Sequence, residues 1–143
     1  MRFWDSSAIV PLIVEEQRSQ ACRALRRADR SMIVWMLSRT EIVSALHRLR
    51  REGYLDKKEV PTALRRLDRL SRTWAEVEAA EPTRERAERA LAVHALSAAD
   101  ALQLGAALLV VRDRPRHRPF VTADARLAEA AAAEGFDVVV PGE

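Results

Sequence analysis

The sequence predicts an α/β fold: one domain over residues 1–143, with a mainly parallel sheet covered by helices on both faces. Three observations carry that expectation. Short apolar runs suited to buried strands alternate with segments of helical period, the order that builds parallel sheets. No hairpin dipeptide joins one run directly to the next, so each strand must return through a crossover. A length of 143 residues suits one continuous core without disulfide staples, and no repeat or linker divides it.

In chain order, Phe3 and Trp4 with their neighbours make a short first strand ending at Asp5. "SSAIVPLIVEE" then reads as a helix, with Pro11 close to its first turn, where a missing amide costs least. A second helix is expected through "QRSQACRALRRAD". "MIVWML" is β-branched and apolar enough for a second buried strand, and "SRTEIVSALHRLRREG" follows as a helix that opens with cap chemistry and stops at Gly53. The middle of the chain reads as helical throughout: Leu64, Leu67 and Leu70 form a stripe with arginines on the other face, and "TRERAERALAVHAL" is amphipathic. "SAADALQLGAALLVV" is a further apolar helix, the basic loop "RDRPRHRP" leads to the strand "PFVT", and an alanine-rich helix runs to Gly135 and the last strand, "FDVVVP".

Composition narrows the class. With 48% hydrophobic and 31% charged residues the chain is an ordinary globular sequence, neither disordered nor fibrous. Cys22 is the only cysteine, which excludes an internal disulfide and fits a reducing cytoplasm. Asp5, Glu15 and Glu16 interrupt the apolar N-terminus before a signal or spanning segment forms, so no membrane role is expected. The 24 Lys and Arg barely exceed the 21 acids, but they cluster: Arg18 to Arg30, Lys57 to Arg72, and Arg112 to Arg118. Each cluster reads equally well as a solvated face. In the third, Arg114, Arg116 and Arg118 precede a strand and are the candidates for phosphate contacts.

Acids at strand exits matter most, because in an open parallel sheet ligands bind beyond the carboxyl ends of the strands. Asp5 follows the first strand, Glu41 opens the helix after the second, Asp100 opens the "SAADALQL" helix, and Asp124 follows "FVT". Each also has a purely local reading. Ser38 to Glu41 and Ser97 to Asp100 match capping boxes, and Asp5 and Asp124 suit helix N-caps. If the four meet, repulsion raises their pKa values unless a cation neutralises them, and oxygen donors select Mg²⁺ or Mn²⁺. Zinc is disfavoured because His47, His94 and His117 are isolated. The four scattered glycines build no phosphate loop or dinucleotide turn, and no G-x-S-x-G surrounds the serines after Asp5.

"DSSAIV", a Glu opening a helix in the forties, "AADALQLGAAL" and "FVTADARLAEAA" stand in the order and spacing of PIN domains, and the chain resembles the VapC-like toxins nearly end to end. The resemblance implies a three-layer α/β/α PIN-like fold and an acidic pocket that binds Mg²⁺ or Mn²⁺ for ribonuclease activity. It also implies the toxin role in a type II toxin-antitoxin pair. Asp5, Glu41, Asp100 and Asp124 match the family's acidic quartet as catalytic residues, with Asp5, Asp100 and Asp124 as metal ligands and Glu41 either a ligand or a water-positioning group. Ser7 and Thr122 match supporting hydroxyl positions. Gln103 departs from the pattern, standing where the family often has His, which keeps hydrogen bonding and loses titration.

The same resemblance implies a VapB-like antitoxin partner that blocks the pocket, and a homodimer. The helical face of Ile42, Leu46 and Leu49 reads either as dimer surface or as ordinary core. Two other functions stay open: a non-catalytic PIN-like module that binds RNA or a partner, and a metal-dependent phosphatase acting on small esters. Against the second stands the missing D-x-D after the first strand.

Overall fold

The computed structural model describes residues 1–143. In chain order the elements are β1 (Arg2–Trp4), α1 (Ser6–Ile13), α2 (Ser19–Ala28), β2 (Met32–Trp35), α3 (Ser38–Arg51), α4 (Glu59–Ser71), β3 (Ala75–Val77), α5 (Ala80–Val93), α6 (Ala98–Val110), β4 (Pro119–Val121), α7 (Ala125–Glu134) and β5 (Asp137–Val139). The five strands form one sheet in the order β3-β2-β1-β4-β5, every neighbouring pair parallel. Phe3 stands beside Ile33 on one side and Phe120 on the other.

Strand side chains alternate between two apolar layers, as a sheet covered on both faces requires. Trp4, Met32, Val34 and Val121 pack with α1 to α4 residues such as Ile9, Ile42, Leu46 and Leu67. Phe3, Ile33, Trp35 and Phe120 pack with Ala90, Leu104 and Leu127 from α5, α6 and α7. The fold is therefore a three-layer α/β/α sandwich. No single helix is long and apolar enough to cross a membrane.

Three local expectations need correction. The middle of the chain is not wholly helical: Ala75 to Val77 form β3 at the sheet edge, in register with Ile33 to Trp35. Two of its three residues are exposed, so the apolar signal of a buried strand is missing. The first helix ends at Ile13, with Pro11 in its second turn, because buried Ser19 closes the bend by donating to the Val14 carbonyl and accepting from the Glu16 amide. The third is the N-terminus of α3, where Leu37 is the cap residue and no side chain caps. Gly135, by contrast, ends α7 in the left-handed region (φ 109°) as its position after the alanine run foretold.

The sheet grows from β1 to β3 in one direction and then from β4 to β5 in the other. The reversal falls between β1 and β4, the crevice where open α/β sheets bind ligands.

Candidate active site

Asp5, Glu41, Asp100 and Asp124 line a single cleft of about 550 Å³ at this crevice, together with Ser6, Ser7, Thr40, Ser44 and Arg48. Each acid arrives there for a local reason. Asp5 ends β1 and caps α1, accepting from the Ser7 amide at 3.3 Å. Asp124 caps α7 with Oδ1, 2.9 Å from the Leu127 amide. Asp100 sits in the first turn of α6, whose cap Ser97 accepts from the Asp100 amide at 3.2 Å, so the capping serine fixes the turn and leaves the carboxylate to the cleft. For these three, cap chemistry and site placement are one arrangement.

Glu41 is different. Ser38 does not cap α3 but is buried, where its hydroxyl accepts from Gln103 Nε2 at 2.9 Å. Glu41 Oε2 accepts instead from Ser6 Oγ (2.8 Å) and Gln103 Nε2 (3.2 Å), so its carboxylate faces other segments of the chain and the capping box is not formed. Gln103 is fully buried, and its Oε1 has no partner, whereas its amide nitrogen serves Ser38 and Glu41 together. Gln103 thus positions Glu41. Gln103→Leu leaves Ser38 and Glu41 without that donor, worth about 1.4 kcal/mol or roughly tenfold in rate for one charged hydrogen bond. The expected readout is lower kcat with the acidic limb of the pH profile shifted upward, since the Gln103 bond opposes protonation of Glu41. An unchanged pH profile rules out positioning.

Asp5 is the most constrained acid, 2% exposed. Its Oδ2 accepts from the hydroxyls of Ser7 and Thr122, the latter at 2.8 Å, and Ser6 Oγ lies 3.4 Å from Oδ1. Ser7 Oγ also receives the Ala123 amide at 2.9 Å, and Thr122 Oγ1 the Asp124 amide at 3.0 Å, so the two hydroxyls stitch the end of β4 to the start of α1. Burial pushes the Asp5 carboxyl up to about 6 against the pull of these hydroxyls, and the charges of Asp100 and Glu41 push the same way. Burial also raises Glu41, opposed by Ser6 and Gln103. Asp100 is raised by burial first and then by the charge of Asp124.

Ser7 and Thr122 therefore lie where the sequence placed them. Arg114, Arg116 and Arg118 do not join the acids. Their loop precedes β4 and packs by Pro115 against Gly135, before β5, which puts it at the opposite edge of the sheet. Arg48 is the arginine that lines the cleft, and sequence reading missed it although it stands seven residues after Glu41, on the same face of α3. Ser6 was also missed, its neighbour Ser7 having drawn the attention in "DSSAIV". Ile42 and Leu46 are fully buried within the chain and Leu49 packs half-buried against the same core, so this face is core.

The donors suit a hard divalent cation: all are oxygens, no histidine or cysteine lines the cleft, and Asp5, Glu41 and Asp100 are raised by burial first and by neighbouring carboxylates second, a cost that a cation offsets. No three of them form a ready-made cage around one point. A magnesium ion here would take one or two carboxylates directly and meet the others through its waters.

No family model matches the sequence, and no curated protein matches it. Solved structures do. The chain is similar to a toxin-antitoxin complex from Klebsiella pneumoniae at TM-score 0.68 and 16% identity, covering 100% of this chain and 99% of that one. FitAcB from Neisseria gonorrhoeae gives 0.67 and 16%, covering 99% and 97%, and PAE2754 from Pyrobaculum aerophilum 0.65 and 17%, covering 97% and 87%. Identity this low speaks for the fold alone, and the fold is PIN-like, as the resemblance in the sequence implied.

Proposed function

We propose that the chain is a Mg²⁺- or Mn²⁺-dependent endoribonuclease and the toxin of a VapBC-type toxin-antitoxin pair. The observation that carries this reading is the meeting of four carboxylates, from four separate segments, in one cleft at the point where strand order reverses. Full-length likeness to a toxin-antitoxin complex supports the toxin role.

A bound magnesium ion supplies Lewis acidity toward the scissile phosphate and an activated water for in-line attack. Asp5, Asp100 and Asp124 would hold the ion, directly or through its waters. Ser7 and Thr122 hold Asp5 ionised and in one orientation by donating to Oδ2. Glu41, fixed through Oε2 by Ser6 and Gln103, coordinates or orients the attacking water. Arg48, the one cation lining the cleft, offers its guanidinium to the phosphate. In the resting complex an antitoxin arginine paired to the same acids blocks the cleft. Leu91 and Val93, exposed at the end of α5, offer one apolar surface to a homodimer.

Incubation of labelled RNA with the protein in Mg²⁺, in Mn²⁺ and in chelator tests the reading. Endonucleolytic products are expected with either ion and none with chelator. Cutting that persists in chelator overturns it. Binding of RNA with no cutting in either ion leaves the non-catalytic binding module instead.

A further inference from the structure

A second cleft, of about 410 Å³, lies between α2 and α4. Arg23, Arg26, Arg27, Arg66 and Arg69 line it over a floor made by Leu12, Ile13 and Leu70, and no acid contributes. Only Arg23 is ion-paired, with Glu15 at 2.9 Å on the rim. Arg66 reaches the Ile13 carbonyl at 3.3 Å, and Arg26 Nη2 reaches Thr73 Oγ1 at 3.3 Å. Arg26 Nε is buried with no hydrogen-bond partner. Five guanidinium groups facing one space repel one another, and a buried donor without an acceptor is destabilising. An anion seated in the cleft relieves both.

We propose that this arginine cleft grips backbone phosphates of a folded RNA, as a contact separate from the acidic cleft. Guanidinium forks match phosphate oxygens, and such contacts fix position without reading sequence. Three aliphatic side chains are a narrow floor for the apolar face of a helical peptide, and no aromatic ring is present for base stacking. The two clefts lie at opposite edges of the sheet: Asp5 precedes α1 and Ile13 ends it, about 12 Å apart along eight helical residues. Between them the surface is mixed in charge: Glu15, Glu16, Asp56 and Glu59 alternate with Arg18 and Lys58, and Glu15 is already paired with Arg23. No continuous basic track joins the two clefts for a single strand to follow, whereas a stem-loop presents phosphates to both at once by bridging over this mixed stretch.

The inference rests on RNA as ligand, taken from the proposed function, and not on cleavage. Anisotropy of a labelled hairpin RNA, measured in chelator across a salt series, tests it with three proteins: wild type, Arg26→Gln/Arg69→Gln, and Arg84→Gln/Arg89→Gln on the exposed face of α5. The cleft variant is expected to bind roughly tenfold more weakly, with the slope of log affinity on log salt reduced by roughly 1–2, and the α5 variant to match wild type. Equal losses in the two variants, or none, overturn the proposal. So does binding of an acidic peptide that the cleft variant alone abolishes while hairpin affinity is untouched. If thermal melting finds Arg26→Gln unfolded, Arg27→Gln/Arg69→Gln replaces it. Failure of wild type to cut RNA, with the hairpin result as expected, removes the nuclease reading and leaves this one standing.

Discussion

Asp5→Asn is expected to lower metal-dependent RNA cleavage by about 10²–10³-fold, the loss typical when one charge that organises a reacting phosphate is removed. The same variant has a stability signature. Asp5 has an ordinary carboxyl value of 3.8 and a folded value of about 6, so the folded protein holds its proton more tightly than the unfolded chain does. The stability gained from protonated Asp5 is complete below pH ~3.8 and is lost as pH rises through about 6. Its size is about 3 kcal/mol at 1.36 kcal/mol per unit. Glu41 and Asp100, also raised, act with the same sign. Without divalent ions, wild type should therefore lose thermal stability between about pH 4 and pH 7, and Asp5→Asn should lose less. Magnesium at about 100 times its Kd should restore about 2.7 kcal/mol to wild type and much less to the variant. Parallel melting curves for the two proteins across that pH range, with and without magnesium, would show that Asp5 is neither strained nor a ligand.

The second large effect belongs to Gly105. A Cβ at this position in α6 meets the Thr83 carbonyl oxygen at 2.6 Å and the Ala87 amide nitrogen at 3.0 Å, both backbone atoms of α5 that no rotamer change can move. Gly105→Ala gains about 1 kcal/mol of helix propensity but overpacks the seam by up to about 3, for a net loss of about 1–2 kcal/mol. Gly105→Val adds two methyl groups and forfeits the propensity gain, so a loss of at least about 3 kcal/mol is expected. At about 2–4 °C per kcal/mol, differential scanning calorimetry should find Tm lower by about 4 °C and about 9 °C respectively. Because α6 carries Asp100 and Gln103, parting the two helices also disturbs the acidic cleft, and cleavage should fall in Gly105→Ala even where the protein is fully folded. Melting of both variants with wild type would mean that α5 yields freely.

Legibility in the sequence followed the range of the interaction concerned. The strands Met32–Trp35 and Pro119–Val121 announce themselves because both faces are buried and both must be apolar. Strand Ala75–Val77 does not, since an edge strand covered on little of its surface needs no such pattern. Likewise Asp5, Asp100 and Asp124 were readable as acids at helix starts, where cap chemistry and the edge of the sheet coincide. Glu41 was readable by position but misassigned in local role: its partners, Ser6 and Gln103, lie 35 and 62 residues away.

The basic residues divide in the same way. The sequence singled out Arg114, Arg116 and Arg118, but direction along the chain puts a loop that enters a parallel strand at the edge opposite one that leaves it. Arg48 and the α2–α4 arginines became visible only once helices distant in sequence lay side by side. Hydrophobic period, caps and crossovers thus determined the layers, the strand direction and the three acids at helix starts, because each is set within a few residues. Which carboxylate meets which hydroxyl, which arginine faces the acids, and how closely α5 approaches α6 were decided by tertiary packing, where contacts join residues that no local pattern connects.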